Sequence, residues 1–187
     1  MALSYEFLDL AARLVALDPR RPRVITLRRA VSAAYYALFH RLIGDATGSM
    51  LGSPVSLGTN NPANPRTQRI DQGMARWFTH TRMKTVSGWF RQPARAPRPI
   101  QGMLTAGADS FVPPSLQLVA KYFVDLQLAR HAADYDPAHR LTRIEAHQFV
   151  AKAKDAFTLC DQLAGHAMYR LYLLLLLTGD EVARDRA

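Results

Sequence analysis

An all-α fold of five or six helices follows from three observations. Apolar residues recur at helical spacing in segment after segment, strand-like alternation competes nowhere, and proline or glycine marks the places where helices start and stop. At 187 residues the chain is long enough for one sizeable core and short for two, so residues 1–187 read as a single domain. Its composition, 49% hydrophobic and 21% charged, is that of a globular protein rather than a disordered chain.

Leu3, Phe7, Leu10, Leu14 and Leu17 place a first amphipathic helix from the start of the chain to Asp18-Pro19, where proline ends the pattern. Pro22 suits the start of a second helix, and Leu27, Val31, Ala34, Leu38 and Leu42 make its apolar stripe as far as Gly44. Arg29, Ala33, Tyr36 and His40 lie on another face of that helix, at spacings of four, three and four. A small residue under a tyrosine, flanked by arginine and histidine, is one way to build a pocket wall. Plain helix packing, with long side chains reaching out to solvent, accounts for the same face without a ligand.

Residues 46–113 read as a loop-rich basic insertion containing one helix. The stretch from Ala46 to Pro65 is rich in Gly, Ser, Asn and Pro and reads as loop. Thr67 is placed to cap a helix to about Val86, with Ile70, Met74, Trp77, Phe78 and Thr81 turned inward. In the run from Trp89 to Pro99 the prolines are expected to prevent regular structure, leaving Arg91, Arg95 and Arg98 on an exposed basic loop. Such a loop either meets RNA and phosphates or is a solvated connector.

Pro113-Pro114-Ser115 opens the next helix, on which Leu116, Val119, Phe123, Leu126, Arg130 and Ala133 share a stripe. Arg130 therefore stands on the apolar side, where an unpaired guanidinium would be costly. Asp134, one turn on, is the nearest acceptor. Either the pair pins the helix end, or the aspartate holds an arginine that faces a phosphate. Pro137 stops this helix, and Thr142-Arg143-Ile144-Glu145 has the spacing of a capping box. Ala146, Phe149, Ala153, Phe157, Cys160 and Ala164 form the following apolar face, which makes Cys160 a core thiol. Gly165 breaks that helix before a leucine-rich one from Ala167 to Thr178, and residues 179–187 read as a frayed polar tail.

The formal net charge is +9, and two-thirds of it falls between Ala46 and Pro113, where eight arginines and lysines face only Asp71 and Asp109. That balance favours a polyanion such as nucleic acid, or an acidic partner. Arginine outnumbers lysine, which suits planar bidentate phosphate contacts, and a GC-rich genome produces the same skew. A single cysteine excludes an internal disulfide and a cysteine-based zinc site, and with no secretory signal expected a cytoplasmic setting is the default. The run Leu171 to Leu177 is too short to cross a membrane, and no membrane partner is expected. Phosphate-binding loops, dinucleotide fingerprints, zinc-protease motifs and nucleophile elbows are all missing, and no metal or cofactor is expected. Arg, His, Tyr and Asp remain, and they suit phosphate handling without a metal: guanidinium to hold the anion, imidazole to move protons near neutral pH.

Three stretches, Arg29 to His40, Leu126 to Pro137, and Thr142 to Ala146, together resemble the small prokaryotic HEPN proteins. The resemblance covers the second to the penultimate helix and says least about the insertion. It implies an antiparallel up-and-down helical bundle, frequently a homodimer, in a superfamily linked to nucleotide binding, RNA cleavage, toxin–antitoxin pairs and phage defence. Nuclease members carry an Arg-x4-6-His motif that faces the dimer mate and cuts RNA without metal. Here the matching stretch begins at Arg130, and Asp134 and Tyr135 stand where the motif's histidine and following tyrosine would be. Arg140 and His147 satisfy the spacing, a coincidence that chance readily supplies. The resemblance leads to a module that binds RNA or a nucleotide without strong catalysis. The alternatives are a metal-independent endoribonuclease using Arg130 with His40 or His131, and a structural protein-interaction subunit. Arg29, Tyr35, Tyr36, Asp134 and Tyr135, together with Arg91, Arg95 and Arg98, are the expected binding residues. RNA or a nucleotide, a second copy of the chain, and a protein such as an antitoxin or a defence-system subunit are the expected partners. The leucine-rich last helix is expected to supply an apolar face for dimerisation.

Overall fold

The post around which the chain is built is α2, Val24–Leu51, in which Ala30 to Tyr35 and Ala37 to Phe39 are all buried. The computed structural model describes residues 2–17, 20, 22–52, 73–106 and 109–184, the side chains of 106, 109, 110, 180–182 and 184 excepted. The expected stop at Asp18-Pro19, the loop from 53 to 65 and the helix start at Thr67 with Ile70 lie outside these residues. Besides α2 the helices are α1 Leu3–Ala16, α3 His80–Arg91, α4 Arg98–Leu104, α5 Pro114–Tyr135, α6 Arg143–Gln162 and α7 Ala167–Arg184. A 3-10 turn, Pro93–Arg95, joins α3 to α4, and a two-residue antiparallel pair sets Thr105 opposite Ser110 and Ala106 opposite Asp109.

The molecule is an all-α bundle in which α1 and α2, and again α5 and α6, run antiparallel. Tyr5 reaches Arg41 while Phe7 meets Tyr36 and His40, which sets α1 against α2. Lys152 bonds Asp125 at 2.7 Å across the short connection between α5 and α6. One buried cluster takes side chains from every helix, so a single hydrophobic core holds the bundle. The capping box at Thr142 and Glu145 is present in both directions, as its spacing requires, and Gly165 turns the chain at φ 84° before α7.

Several expectations need correcting. α2 does not end at Gly44 but continues to Leu51 and stops at Gly52, which takes φ 73°. A mid-helix glycine costs about 1 kcal/mol, and here the buried Ala46 and Thr47 and the Arg41–Asp45 pair span it. On α1 the buried positions are Ser4, Ala11 and Val15, while Leu10 and Leu17 are exposed. Alanine-rich α2 is approached closely, so small residues take the seam. Residues 73–75 form a helical turn, and a fresh helix then starts at His80 with Thr79 accepting from the Arg82 backbone N–H. Trp77 and Thr81 consequently face solvent rather than the core.

The basic segment is not an irregular loop. Trp89 to Arg91 finish α3, Pro93 opens the 3-10 turn and Pro99 lies in the first turn of α4. Proline lacks only a donor that a first turn does not use, so these prolines start helices instead of preventing them. Pro93, Ala96, Ile100 and Leu104 are buried and anchor the segment. Ala164 is exposed beyond the end of α6. The tail is helical to Arg184, and Gly179 is buried so closely against Val86 and Trp89 that a Cβ there would clash. The leucine-rich run is covered by its own chain: Tyr172, Leu173, Leu175 and Leu176 are buried and Leu174 alone of its leucines is strongly exposed. Among the described residues, this run is therefore turned mainly to its own core rather than to solvent.

Candidate functional site

Two of the three stretches that carry the resemblance meet. α2 and α5 pack antiparallel, so the face of α2 that repeats every third or fourth residue, Arg29, Ser32 and Tyr36, lies along the last two turns of α5. Between them is a cleft of about 400 Å³ whose other walls are Ile25, Arg28, Arg130, Ala133, Asp134 and Tyr135.

Arg130 is at the centre. Its Nε lies 2.8 Å from Asp134 Oδ2, a charge contact in which the N–H is not aimed at the carboxylate. Nη2 donates to the hydroxyls of Tyr36 at 3.1 Å and Tyr135 at 3.4 Å, and the guanidinium stacks 5.5 and 5.4 Å from the centres of those rings. Nη1 makes no hydrogen bond among the described residues. Asp134 is occupied on its other oxygen by the Ser32 hydroxyl at 2.7 Å. Burial works against the arginine's charge, but Tyr36, Asp134 and Tyr135 together raise its pKa, so it is a permanent cation.

The two adjacent arginines in the first turns of α2 divide the work. Arg28 donates to the carbonyls of Ala133, Asp136, Pro137 and His139, closing the open C-terminal end of α5. Nothing in the sequence pattern singled it out, because its partners are more than a hundred residues away. Arg29 is exposed at the rim and has no hydrogen bond or ion pair among the described residues. Arg28, Arg29 and Arg130 against Asp134 leave the cleft with an excess of positive charge.

His80 is the residue that sequence reasoning missed. At the first turn of α3 its Nδ1 is 2.5 Å from the Tyr35 hydroxyl, its ring packs 4.5 Å from that of Phe39, and its carbonyl accepts from Gln127. Burial lowers its pKa, and the Arg130 charge lowers it further. Tyr35 is fully buried under Arg130, 6.0 Å from the guanidinium, and burial keeps its hydroxyl protonated far above neutral pH.

The other expected residues are placed as follows. His40 is half-buried and stacked on Phe7, with a pKa lowered by burial and by His80, and it does not line the cleft. His131 is exposed and its ring lies 5.0 Å from that of Tyr135, at the rim. Arg140 and His147 are both exposed, away from the cleft walls. Arg91, Arg95 and Arg98 stand at the far end of α3, roughly 16 Å along the helix from His80. Among the described residues no group of three or more His, Cys, Asp or Glu is arranged to hold a metal ion. No helix among them is long and apolar enough to cross a membrane.

A second cavity, about 420 Å³, opens beside Arg41, Asp45, Cys160 and Tyr169. Its polar floor is closed on itself: Arg41 binds Asp45 and Asp161, and Tyr169 donates to Asp45 at 2.7 Å. Burial pushes the Cys160 thiol up to about 12, which makes it an inert core group.

Fold and cleft define a class: an all-helical protein with a cationic, tyrosine-walled cleft between two antiparallel helices. No family model matches the chain, and no curated protein or solved structure matches it either.

Proposed function

We propose that the chain is a HEPN-like module that binds RNA or a nucleotide in the α2–α5 cleft without strong catalysis. The observation that carries this reading is Arg130: held among tyrosines, permanently charged, with Nη1 uncommitted, and beside a solvent-facing Arg29. Such a pair grips a phosphate oxygen, and Tyr36 and the exposed Tyr135 give a base flat surfaces to stack on. No histidine lines the cleft itself; His131 stands at its rim against Tyr135, and His80 is held behind Tyr35. A toxin–antitoxin or phage-defence setting, a homodimer and a protein partner such as an antitoxin belong to the same HEPN-like reading, and so does a cytoplasmic location.

Fluorescence anisotropy with a labelled oligoribonucleotide, in EDTA, tests it. Salt-sensitive binding that weakens about tenfold or more in Arg130→Ala, with the RNA intact, is the expected result.

A metal-independent endoribonuclease is the second reading, and His80 is what favours it. This neutral imidazole is held by Tyr35 within the field of Arg130. RNA cleavage in EDTA that disappears in both Arg130→Ala and His80→Ala would replace the first reading with this one.

A further inference from the structure

We infer that the ligand is a single strand of RNA several nucleotides long, which starts in the Arg130 cleft and runs along α3 to the arginines of the α3–α4 turn. This rests on the cleft reading above and adds a second anchoring surface to it.

The first observation is a charge imbalance that the fold preserves. No aspartate or glutamate occurs between Asp71 and Asp109, and within this span the side chains of Lys84, Arg91, Arg95 and Arg98 make no ion pair or hydrogen bond among the described residues. By contrast Arg41 is matched by two aspartates, Lys152 by Asp125, and Arg130 in part by Asp134. A block of cations with no carboxylate of its own is a surface suited to an anion.

The second observation is that this block is rigid. The 3-10 turn and α4 are tied down by buried Pro93, Ala96, Ile100 and Leu104, and Trp89 is wedged against Gly179 of α7. The three arginines within eight residues are therefore carried on a fixed support, which limits the ordering cost when they meet a ligand.

The third is continuity. His80, Lys84 and Arg91 are four and seven residues apart, so they share one flank of α3, and all three are half-buried. At the His80 end, Gln127 of α5 bonds the His80 carbonyl, and Arg130 is three residues further along α5. This flank of α3 therefore starts beside the turn of α5 that precedes Arg130 and runs past Lys84 to Arg91, over roughly 16 Å. That exceeds the reach of a mononucleotide and suits a short strand; grooves that track single strands commonly hold about 4–16 nucleotides. A cleft of about 400 Å³ admits one splayed nucleotide and not a duplex. An acidic peptide would meet the same cations but would leave the tyrosine faces unused.

The experiment compares AMP, a fluorescein-labelled single-stranded RNA of about ten nucleotides, the same RNA as a duplex, and labelled poly-glutamate. Each is titrated across a range of salt against wild type, Arg130→Ala and the triple variant R91Q/R95Q/R98Q. The strand should bind at least about tenfold more tightly than AMP. The triple variant should lower the salt slope of strand binding by about 2, three phosphate contacts at ~0.7 each, and leave AMP binding unchanged. Arg130→Ala should abolish AMP binding and retain part of the strand's affinity. If AMP binds through Arg130 but the strand binds no more tightly, or the triple variant keeps the full slope, the path is wrong and the cleft reading stands. Duplex or poly-glutamate binding as tight as the single strand also overturns the proposal. Absence of both AMP and strand binding overturns the cleft reading and the path together.

Discussion

Arg41 and Arg130 use one local device, an arginine four residues ahead of an aspartate on a helix, and they end in opposite states. Arg41 sits where α1, α2, α6 and α7 converge. Two carboxylates, Asp45 and Asp161, flank it, Tyr169 caps Asp45, and the guanidinium stacks 5.3 Å from Phe157. Burial opposes its charge, but Asp45 and Asp161 more than restore it and raise its pKa. Arg130 has one carboxylate, which Ser32 shares, and its remaining partners are neutral hydroxyls on an open cleft. Both side chains are well covered, at 12% and 17% exposure, so burial does not separate them. The number of carboxylates does. A neutralised arginine locks helices together, whereas one with surplus charge beside solvent is able to hold a ligand.

Breaking the lock should give the largest effect. Arg41→Ala leaves Asp45 and Asp161 without their common cation and should cost about 3 kcal/mol in urea unfolding, with binding in the cleft unchanged where the protein is folded. An unfolding midpoint equal to wild type would show that the pair adds nothing.

The matching change in the cleft should invert the pattern. Arg130→Ala should lower stability by only about 1 kcal/mol, because its bonds to Tyr36 and Tyr135 are to groups that water can reach, while anion binding falls about tenfold or more. A large stability loss with binding intact would make Arg130 a second lock.

Asp134→Asn sharpens the comparison further. It removes the competing carboxylate but keeps an acceptor for Ser32, so RNA or phosphate affinity should rise a few-fold while stability falls by about 0.5–1 kcal/mol. Isothermal titration and urea unfolding on one preparation measure both, and weaker binding would mean that Asp134 chiefly orients the guanidinium.

The smallest effect concerns pH. His40 and His80 both have folded pKa values below the ordinary 6.5, from burial first and neighbouring positive charge second. A depressed histidine keeps its full contribution above the unfolded pKa, and stability is lost as pH falls below about 6.5 towards the folded values, because the unfolded chain takes up the proton more readily. The unfolding midpoint should decline from about pH 7.5 to 5.5, with a shallower slope in His80→Gln; an identical slope would remove His80 from the account.

The resemblance-bearing stretches were legible because each is a local helical pattern. Leu27, Val31, Ala34, Leu38 and Leu42 are all buried, as are Leu116, Val119, Phe123 and Leu126, on the stripes their spacing defines. Thr142 and Glu145 cap α6 for the same local reason. Reading failed where the same residue serves two purposes. The prolines at 93 and 99 begin helical turns, Gly44 passes through α2, and the leucines of α7 face their own core. Each of these outcomes depends on neighbours that packing supplies, and periodicity does not name those neighbours.

The amino-acid sequence by itself determined the all-helical class, the bounds of α5 and α6, the starts of α2 and α7 and the side of α5 on which Arg130 stands, since these follow from spacing within a turn or two. Only the tertiary structure decided which arginine has its charge balanced by carboxylates and which does not, that Arg28 closes α5, and that His80 lies beneath the cleft. Arg130 meets Tyr36 across 94 residues, Arg41 meets Asp161 across 120, and Tyr169 meets Asp45 across 124. A charge is balanced by whatever the fold brings within a few ångströms, and local pattern carries no record of that.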